Sequence, residues 1–512
     1  MFRRSRRIAL SLIGVAMLAT AACGGSGTPA EGGSRGTFTM SAFPTGNSLD
    51  PWKSQLSLYV AAATYDSLTH LNADGTVAPW LATSWHYSDA TALVMDLRTD
   101  VAFADGTRFD AAAVKANIDY AKSATPANFA AQAYLAVIRS VDVLSASRVR
   151  FNLTSPQPDL PYGFSQQAGW MVSPSALKNP TALAAAPVGS GPYVLDKSGT
   201  TPNQTYVFTQ NPNYWAAGQW PRFKKLVVQL MANPTAADNA ARSGQIDYQY
   251  ELTSGGTNIS GWQVTQGSPS ALFGFAIFDV KGKINKPLGD VRVRQAMNYA
   301  IDRQAILKTV LGGHGVVDAS VPFGPDSLGY RKDLDSYYTY DVARAKQLLA
   351  QAGYPNGFSV DVLNNPQWDR MAQALAGYLR KVGINVRLSN HGDDLVQQTN
   401  SGKWAMAMSL QSVTGLAHSD FSSTMTTDST LNPLRNSDAT LDDLLAKAVT
   451  AQADEQKQLY AQLAEHAAQQ AWFVVPALTS QLHAHNPNVV KVIEPKRAGE
   501  PMLYQMVPAG GA

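Results

Sequence analysis

Two loops in the second half of the chain combine an aromatic ring with several amide groups, a set of side chains suited to binding a solute. One loop, 364–368, follows a predicted strand at 359–363, and the other, 411–420, follows a predicted strand at 404–410. Because ligands of open α/β sheets bind outside the carboxyl ends of the strands, both loops are expected to face a ligand. An aromatic plate beside amides suits a polar solute that is extended or ring-shaped. The candidate binding residues on these loops are Asn364, Asn365, Trp368 and Gln411.

The chain contains short matches to catalytic motifs, but the accompanying motifs and secondary structure that catalysis needs are missing. Ser175-Ala176-Leu177-Lys178 matches the Ser-x-x-Lys of penicillin-interacting acylases, but the accompanying Lys-Thr-Gly is absent. The segment 32–36 has the spelling of a nucleophile elbow, but no strand is predicted before it. The chain has no His-Glu-x-x-His, phosphate-binding loop or dinucleotide fingerprint. We therefore predict no enzyme activity, no catalytic residues and no cofactor.

Cys23 is the only cysteine among the 512 residues, and it lies at the end of a predicted export signal. Arginines precede an apolar run at 8–18 and small residues follow it, which is typical of a secretory signal. The run is too short to span a bilayer. Thr20-Ala21-Ala22-Cys23 resembles a lipobox, with Thr where Leu is usual. We predict a signal peptide over 1–22 and lipidation of Cys23. The alternative is an ordinary secreted protein, and the general and twin-arginine export routes both remain open.

Residues 23–36 are rich in Gly, Ser and Thr, so they are predicted to form a flexible tether behind the lipid anchor. The mature chain is then expected outside the cytoplasm, held at the outer face of the cytoplasmic membrane. A hydrophobic fraction of 45% is typical of a packed globular protein. The net charge is +3 without a basic stripe, which argues against nucleic-acid binding. A single cysteine excludes an internal disulfide.

The second half of the chain alternates strands and helices. A strand at 359–363, a helix at 370–381 and a strand at 384–388 predict a right-handed crossover with parallel pairing. Asp290 is expected to cap one helix, running to about 311, and Asp341 another, which ends before Gly353. Further elements are predicted at the C-terminal end: helices at 441–449 and 455–471, and a strand at 473–478.

In the first half of the chain, the pattern of strands and turns predicts mixed sheets, with a smaller region inserted between about 71 and 179. The predicted strands there are 37–40, 92–97, 148–153 and 226–230, with a helix at 111–122. The whole chain is therefore assigned to the α/β class with mixed sheets.

Seven short motifs are spread over the chain, each weak alone but informative in their order. They are Leu49-Asp50-Pro51, Tyr65-Asp66-Ser67-Leu68, the stretch 79–85 (PWLATSW), 103–107 (FADGT), 189–193 (GSGPY), 211–215 (NPNYW) and 291–303 (VRVRQAMNYAIDR). In this order the chain resembles the extracytoplasmic solute-binding proteins of family 5, the oligopeptide, dipeptide and nickel type of ATP-binding-cassette importer. The motifs themselves are interpreted as scaffold residues rather than pocket residues.

The resemblance implies a bilobed fold of the periplasmic-binding-protein type, class II, with an extra inserted subdomain and a hinge between the lobes. Lobe I would comprise 37–70, 180–270 and 480–512, with 71–179 as its inserted subdomain, and lobe II would comprise 271–479. The function implied is a monomeric receptor that captures a small organic solute, foremost a short peptide, and delivers it to a permease and ATPase. The opposite wall of the binding cleft is then expected in lobe I, at Trp52 and Gln55.

The peptide-binding pattern is incomplete in this chain. Relatives that bind peptides place an acidic residue near the position of Thr414, where it pairs with the α-amino group, but the only acid of this loop is Asp420. Asp420 either reaches an amine or caps the helix predicted to enter at Phe421. An amine left unpaired in a closed cleft costs several kcal/mol. Blocked peptides, oligosaccharides and other neutral solutes therefore remain alternatives.

A metal-containing solute is the other alternative. Nickel-binding relatives carry a histidine near His418, offset by one position, which makes His418 a candidate ligand-binding residue. His483 and His485 form a His-x-His pair that supplies too few ligands for a metal site, and these histidines are otherwise expected at the surface or at caps. No resident metal is predicted. A surface hydrolase or a sensor lipoprotein remains the rival class of function.

Overall fold

The computed structural model describes residues 36–42, 48–53, 58–124, 128–220, 222–250, 259–317, 321–392, 394–429, 431–496 and 501–510. The predicted signal peptide, Cys23 and Gln55 lie outside these residues, as does the tether except for Gly36. Every helix in the described part of the chain is too short or too polar to cross a bilayer.

The strands alternate with helices in the second half and dominate the first. The strands are β1 (Thr37–Ala42), β2 (Thr69–Leu71), β3 (Val77–Pro79), β4 (Ala82–Asp89), β5 (Ala92–Leu97), β6 (Ile138–Ser145), β7 (Arg148–Leu153), β8 (Tyr193–Leu195), β9 (Thr205–Gln210), β10 (Lys225–Leu230), β11 (Tyr248–Gln249), β12 (Gln263–Ile277), β13 (Gly315–Val317), β14 (Phe358–Asn364), β15 (Ile384–Asn390), β16 (Met406–Ser412), β17 (Phe473–His485), β18 (Val490–Val492) and β19 (Met506–Pro508).

Several helices begin at an Asp or Asn whose side chain accepts a backbone N–H of the first turn, as at Asp110, Asn233 and Asp438. The helices are α1 (Leu58–Thr64), α2 (Ala111–Ser123), α3 (Phe129–Leu135), α4 (Leu160–Gly163), α5 (Pro174–Leu177), α6 (Pro180–Ala185), α7 (Pro234–Arg242), α8 (Val291–Tyr299), α9 (Arg303–Thr309), α10 (Val342–Gln351), α11 (Asp369–Arg380), α12 (Leu395–Asn400), α13 (Ala417–Met425), α14 (Ala439–Thr450) and α15 (Ala453–Gln470). The predicted caps are confirmed, since Asp290 and Asp341 each accept a backbone N–H of the helix that follows.

One prediction about the helices is wrong. The apolar stripe from Val293 to Leu311 does not form one helix, because α8 ends at Tyr299 and Asp302 caps a second helix, α9. The Asp302 side chain accepts from the backbone N–H of Ala305, and this local bond starts a new helix where the periodic stripe alone predicts continuation.

A sheet of eleven strands in the described part of the chain runs through the whole molecule. Its order is β15-β14-β16-β12-β17-β11-β1-β10-β9-β8, with β13 paired to β17. β14 pairs in parallel with both β15 and β16, which confirms the predicted parallel pairing. A separate four-stranded sheet, β4-β5-β7-β6, lies within the region predicted as inserted.

Two hydrophobic cores divide the molecule into lobes. The first core contains Phe38, Trp170 and Phe208 and defines the first lobe; the second contains Phe275, Leu349 and others from 272–478 and defines the second lobe. The long antiparallel pair β12 and β17 packs in the second core, and β17 also pairs with β11, which pairs with β1 of the first lobe. Its register shifts around Pro269, between the two cores, where proline interrupts the ladder. This irregular ribbon joins the lobes.

Candidate functional site

An open apolar surface lies at the edge of the second lobe. Phe273 on β12 is directly opposite Leu410 on β16, so their side chains share one face of the sheet. The Trp368 ring meets Phe273 edge-on, with the ring centroids 6.1 Å apart. Leu410 is 49% exposed, which is unusual for a leucine in a central strand. We call Phe273, Trp368 and Leu410 the apolar edge; it offers a flat contact for a nonpolar part of a solute.

The two asparagines before Trp368 hold the loop in place. Asn364 is buried, and its Nδ2 donates to Asp369 Oδ1 at 2.6 Å and to Asn390 Oδ1 at 2.7 Å. Asn365 Oδ1 accepts from the backbone N–H of Gln367 at 2.9 Å and so caps the short turn that carries Trp368. Both amides therefore position the aromatic ring through contacts within the lobe.

Gln411 is half-buried and donates only a weak bond, 3.3 Å, to the carbonyl of Ser412. Because successive residues of a strand point to opposite faces, Gln411 and Leu410 are on opposite sides of β16. Of the loop residues predicted to bind, Trp368 is therefore part of the apolar edge, whereas Gln411 points away from it.

Asp420 is enclosed by its own loop. The carboxylate accepts from the backbone N–H of Thr414 at 2.7 Å and its Oγ1 at 2.8 Å, and from the backbone N–H of Gly415 at 2.9 Å. α13 begins at Ala417 rather than at Phe421, so Asp420 lies in its first turn and satisfies the donors that precede it. Burial raises the pKa of Asp420 to about 7, although the three donated bonds oppose the shift. Both oxygens of this carboxylate are occupied within the loop.

A contact between the lobes lies one residue earlier. Asp159, at the start of α4 in the first lobe, accepts from the backbone N–H of Ser419 at 3.0 Å and from its Oγ at 2.8 Å. The lobes are therefore in contact at the beginning of α13.

A cavity of about 580 Å3 opens beside this contact, within the usual range of ligand pockets, about 300–1,000 Å3. The first lobe contributes Pro158 and Asp159, and the second contributes the remaining wall, including Ser327, His418, Lys457 and Tyr460. We call this space the interlobe cavity. It has walls from both lobes, so its shape depends on their closure.

Within the described part of the chain, two polar atoms in the wall of the interlobe cavity are buried without a hydrogen-bond partner. They are His418 Nδ1 and Ser327 Oγ, on side chains that are 8% and 7% exposed. Burial lowers the pKa of His418, while the nearby Asp159 carboxylate opposes the shift, so the imidazole is neutral near pH 7. A buried polar atom without a partner costs about 1–3 kcal/mol. A bound polar solute would remove that cost at two points.

The first-lobe candidate Trp52 is placed in the core. It is 1% exposed, its Nε1 donates to Asn117 Oδ1 at 3.3 Å, and its backbone N–H is bound by Asp50. These contacts fix Trp52 inside the first lobe, away from the interlobe cavity and the apolar edge. The residues of the first lobe that reach the cavity, Pro158 and Asp159, carry no sequence signal, because their partners lie about 260 positions away.

The remaining candidates for chemistry are structural. His483 Nε2 bonds Glu494 at 2.9 Å and the His483 ring stacks on Tyr248, so the expected surface position of this pair is wrong: both His483 and His485 are buried. No cluster of three or more His, Cys, Asp or Glu is arranged for a metal within the described ranges. Ser175 Oγ donates to Asp105, which gives this hydroxyl a turn-stabilising role.

Comparisons with known proteins identify the chain's relatives. Residues 76–432 match the family described as bacterial extracellular solute-binding proteins, family 5 Middle. The glutathione-binding protein GsiB of Escherichia coli strain K12 is 30% identical over 358 residues, covering 67% of both proteins. NikA from Brucella suis, solved with Fe(III)-EDTA, is 25% identical with a TM-score of 0.76, over 92% of this chain and 99% of that one.

The fold is also that of the periplasmic protein DppA from Helicobacter pylori, solved with the peptide STSA. That structure has a TM-score of 0.77 and 21% identity, over 93% of this chain and 98% of that one. Together these findings confirm the resemblance that the seven motifs predict, the bilobed α/β fold, and transport in place of catalysis. The chain belongs to the bacterial extracellular solute-binding proteins of family 5, and it is a solute receptor of an ATP-binding-cassette importer.

Proposed function

We propose that this receptor captures a small organic solute, with short peptides as the leading class, in the interlobe cavity and along the apolar edge. The observation that carries the proposal is the pair of buried, unpartnered polar atoms, Ser327 Oγ and His418 Nδ1, in a cavity with walls from both lobes. Peptide-like ligands appear in the names of the relatives, glutathione for GsiB and the peptide STSA for DppA.

Solute capture requires that the solute contact both lobes. A ligand with equal affinity for the open and closed forms shifts no population, however tightly it binds. Pro158 in the wall from the first lobe and His418 in the wall from the second meet this requirement. A micromolar dissociation constant corresponds to about 8 kcal/mol, so contacts spread over both lobes must add together.

A solute without a free amino group is a second candidate, supported by the contacts of Asp420. Both carboxylate oxygens accept bonds from Thr414 and Gly415, so the only acid of the 411–420 loop is not available to an α-amino group. A blocked peptide, an oligosaccharide or a nickel chelate would need no such anion. These classes compete with free peptides for the same cavity.

We further propose that the signal peptide at 1–22 is removed and that the mature receptor is a monomer. A lipid on Cys23 then anchors the receptor, and the segment 23–36 serves as a flexible tether. The lobe boundaries predicted from the sequence, with 71–179 inserted in lobe I, 271–479 as lobe II and 37–70, 180–270 and 480–512 completing lobe I, are retained as part of this proposal. The closed, loaded receptor would then dock on its permease, which works with an ATPase.

Mass spectrometry of the purified receptor tests the solute class. Native spectra should show an added mass that leaves on mild denaturation, and fragmentation of the released compound identifies it as peptide or non-peptide. The isolated protein should then rebind that compound, and Ser327→Ala should weaken rebinding. A receptor that releases nothing and binds none of a panel of peptides, blocked peptides and oligosaccharides would contradict the proposal.

The anchor is tested by replacing the thiol. Cys23→Ser should release the protein from the membrane fraction into the soluble fraction of the envelope or the medium, because no acyl chain can be attached. Ser26→Ala, in the same segment, is the matched control and should stay with the membrane. Membrane association that persists in Cys23→Ser would exclude lipidation as the anchor.

A further inference from the structure

Asp159 lies at the N-cap position of α4, but its side chain hydrogen-bonds the first turn of a different helix, α13. It precedes α4 in the first lobe, yet its side chain makes no capping bond to α4. Its Oδ2 instead accepts the backbone N–H and the Oγ of Ser419, in the second lobe. A residue placed like an N-cap is therefore directed across the boundary between the lobes.

The receiving helix lacks a cap of its own. The first backbone N–H groups of any α-helix have no partner inside the helix. In α13 the cap position is Leu416, whose side chain cannot accept a hydrogen bond, and the structure gives it no capping bond. Ser419 is the third residue of α13, the position whose N–H an N-cap side chain usually binds. Asp159 thus supplies from the first lobe the cap that the sequence around α13 omits.

The charge of Asp159 suits this position. The N-terminal end of a helix carries a partial positive charge, which stabilises a nearby carboxylate. Three phenols, Tyr87, Tyr134 and Tyr460, are near enough for the Asp159 charge to raise their pKa, although burial is the larger cause in each. This largely enclosed setting screens the pair less than bulk water would. In an open form, both the helix end and the carboxylate would have to bind water instead.

We propose that Asp159 and Ser419 form an interlobe latch, which stabilises the closed receptor without the solute and thereby raises solute affinity. Asp159 is then a positioning residue for capture. The inference rests on the proposed capture by closure, and it adds which residues set the closing equilibrium. Since apparent affinity scales with the fraction of receptor in the competent form, weakening the latch lowers affinity by the factor lost in closure.

Interlobe distances in the solute-free receptor test the latch directly. Spin labels on Arg139→Cys and Lys346→Cys, exposed positions in the first and second lobes, report the distance by electron–electron resonance, with Cys23→Ser removing the native thiol. Ser419→Ala removes the Oγ bond, and Asp159→Asn removes the charge. Ser423→Ala, also in α13, is the matched control, because its Oγ donates only to the carbonyl of Asp420 within the helix.

The latch predicts a closed population in the solute-free parent protein. Ser419→Ala and Asp159→Asn should each lower the ratio of closed to open molecules about 3- to 10-fold, the range for loss of one such bond, while Ser423→Ala leaves it unchanged. Equal distance distributions in all four proteins, or a parent protein without a closed population, would overturn the latch. Adding the copurified solute tests capture separately. If the solute closes the receptor although the substitutions do not change the solute-free distances, only the latch is refuted. If the solute does not change the interlobe distance of the parent protein, only the proposed capture is refuted.

Discussion

The apolar edge and the interlobe cavity are built in different ways. Trp368 is placed by contacts within five residues, through the capping amide of Asn365, and its neighbours Phe273 and Leu410 are paired by the sheet. The cavity depends on Asp159, whose partner Ser419 is 260 positions away. One region is a surface of a single lobe and exists in any form of the receptor. The other needs both lobes, so it can link solute binding to closure.

This difference predicts which substitutions damage the fold and which damage only binding. Side chains that satisfy their own lobe, such as Asp420, should matter for stability. Side chains left without partners, such as Ser327, should matter only when a solute is present. Substitutions in the apolar edge should have effects between those of these two groups of side chains.

The largest effect is expected at Asp420. Asp420→Ala removes the acceptor for the backbone N–H groups of Thr414 and Gly415, and the loop is buried, so the free energy of unfolding should fall by about 2–4 kcal/mol. Denaturant unfolding measures the change. Asp443→Asn is the control, because it breaks only an exposed pair with Lys447 and should cost less than about 0.5 kcal/mol. Equal stability of the two variants would show that the cavity loop does not depend on this carboxylate.

The pKa of the same carboxyl predicts a dependence on pH. The folded-state pKa of Asp420, about 7, lies above the ordinary value of 3.8, so the folded protein binds this proton more tightly than the unfolded chain does. Its contribution to stability is therefore fully present below pH 4 and is lost as the pH rises from about 4 to 7, with a slope of at most about 1.4 kcal/mol per pH unit.

Urea unfolding across this pH range measures the contribution, as the difference between the parent protein and Asp420→Asn, which cannot titrate. Carboxyl carbon shifts in nuclear magnetic resonance give the pKa itself. A difference that grows with pH instead of shrinking, or an Asp420 carboxyl that titrates below pH 4, would mean that the three donated bonds outweigh burial in setting this pKa.

How much of this arrangement the sequence predicts depends on the distance between partners. Periodic segments and local caps predict the crossover of β14, α11 and β15, because each signal is contained in a few residues. Asp302 shows the limit: its capping bond divides a helix that the apolar stripe alone predicts as one. Trp52 shows another, since a tryptophan after a turn looks the same in sequence whether it faces a cleft or, as here, a core.

The same distinction between local and distant partners applies to the residues of the candidate site. Trp368 is recognised because its loop follows a strand in an α/β segment, and that rule is local. Asp159 and Ser327 are not recognised, because an aspartate after a proline and a serine in a turn are ordinary surface residues until the lobes come together. Asp420 is recognised as an acid but not as one whose two oxygens are already occupied, which only the folded loop determines.

The apolar edge should respond in binding more than in folding. Trp368→Ala should weaken the affinity for the copurified solute about 10-fold, because an aromatic contact of this kind is worth roughly 1–1.5 kcal/mol, while the far-ultraviolet circular dichroism stays unchanged. Calorimetric titration measures the affinity. Val396→Ala, at an exposed apolar residue on α12, is the control and should bind normally. Unchanged affinity in Trp368→Ala would remove the apolar edge from the site and leave the interlobe cavity alone.

The smallest change in structure gives the sharpest comparison. Ser327 Oγ is buried and has no partner among the residues that the structure describes, so Ser327→Ala removes an unsatisfied polar atom and should leave the free energy of unfolding of the solute-free receptor equal or slightly raised. If the hydroxyl binds the solute, the same substitution should weaken affinity about 3- to 10-fold, the usual worth of one hydrogen bond. Ser336→Ala, at an exposed hydroxyl nearby in sequence, should change neither quantity. A variant that loses stability but not affinity would place Ser327 in the fold rather than in the site, and would reverse the distinction between the two regions, since the cavity would then be held together by its own contacts.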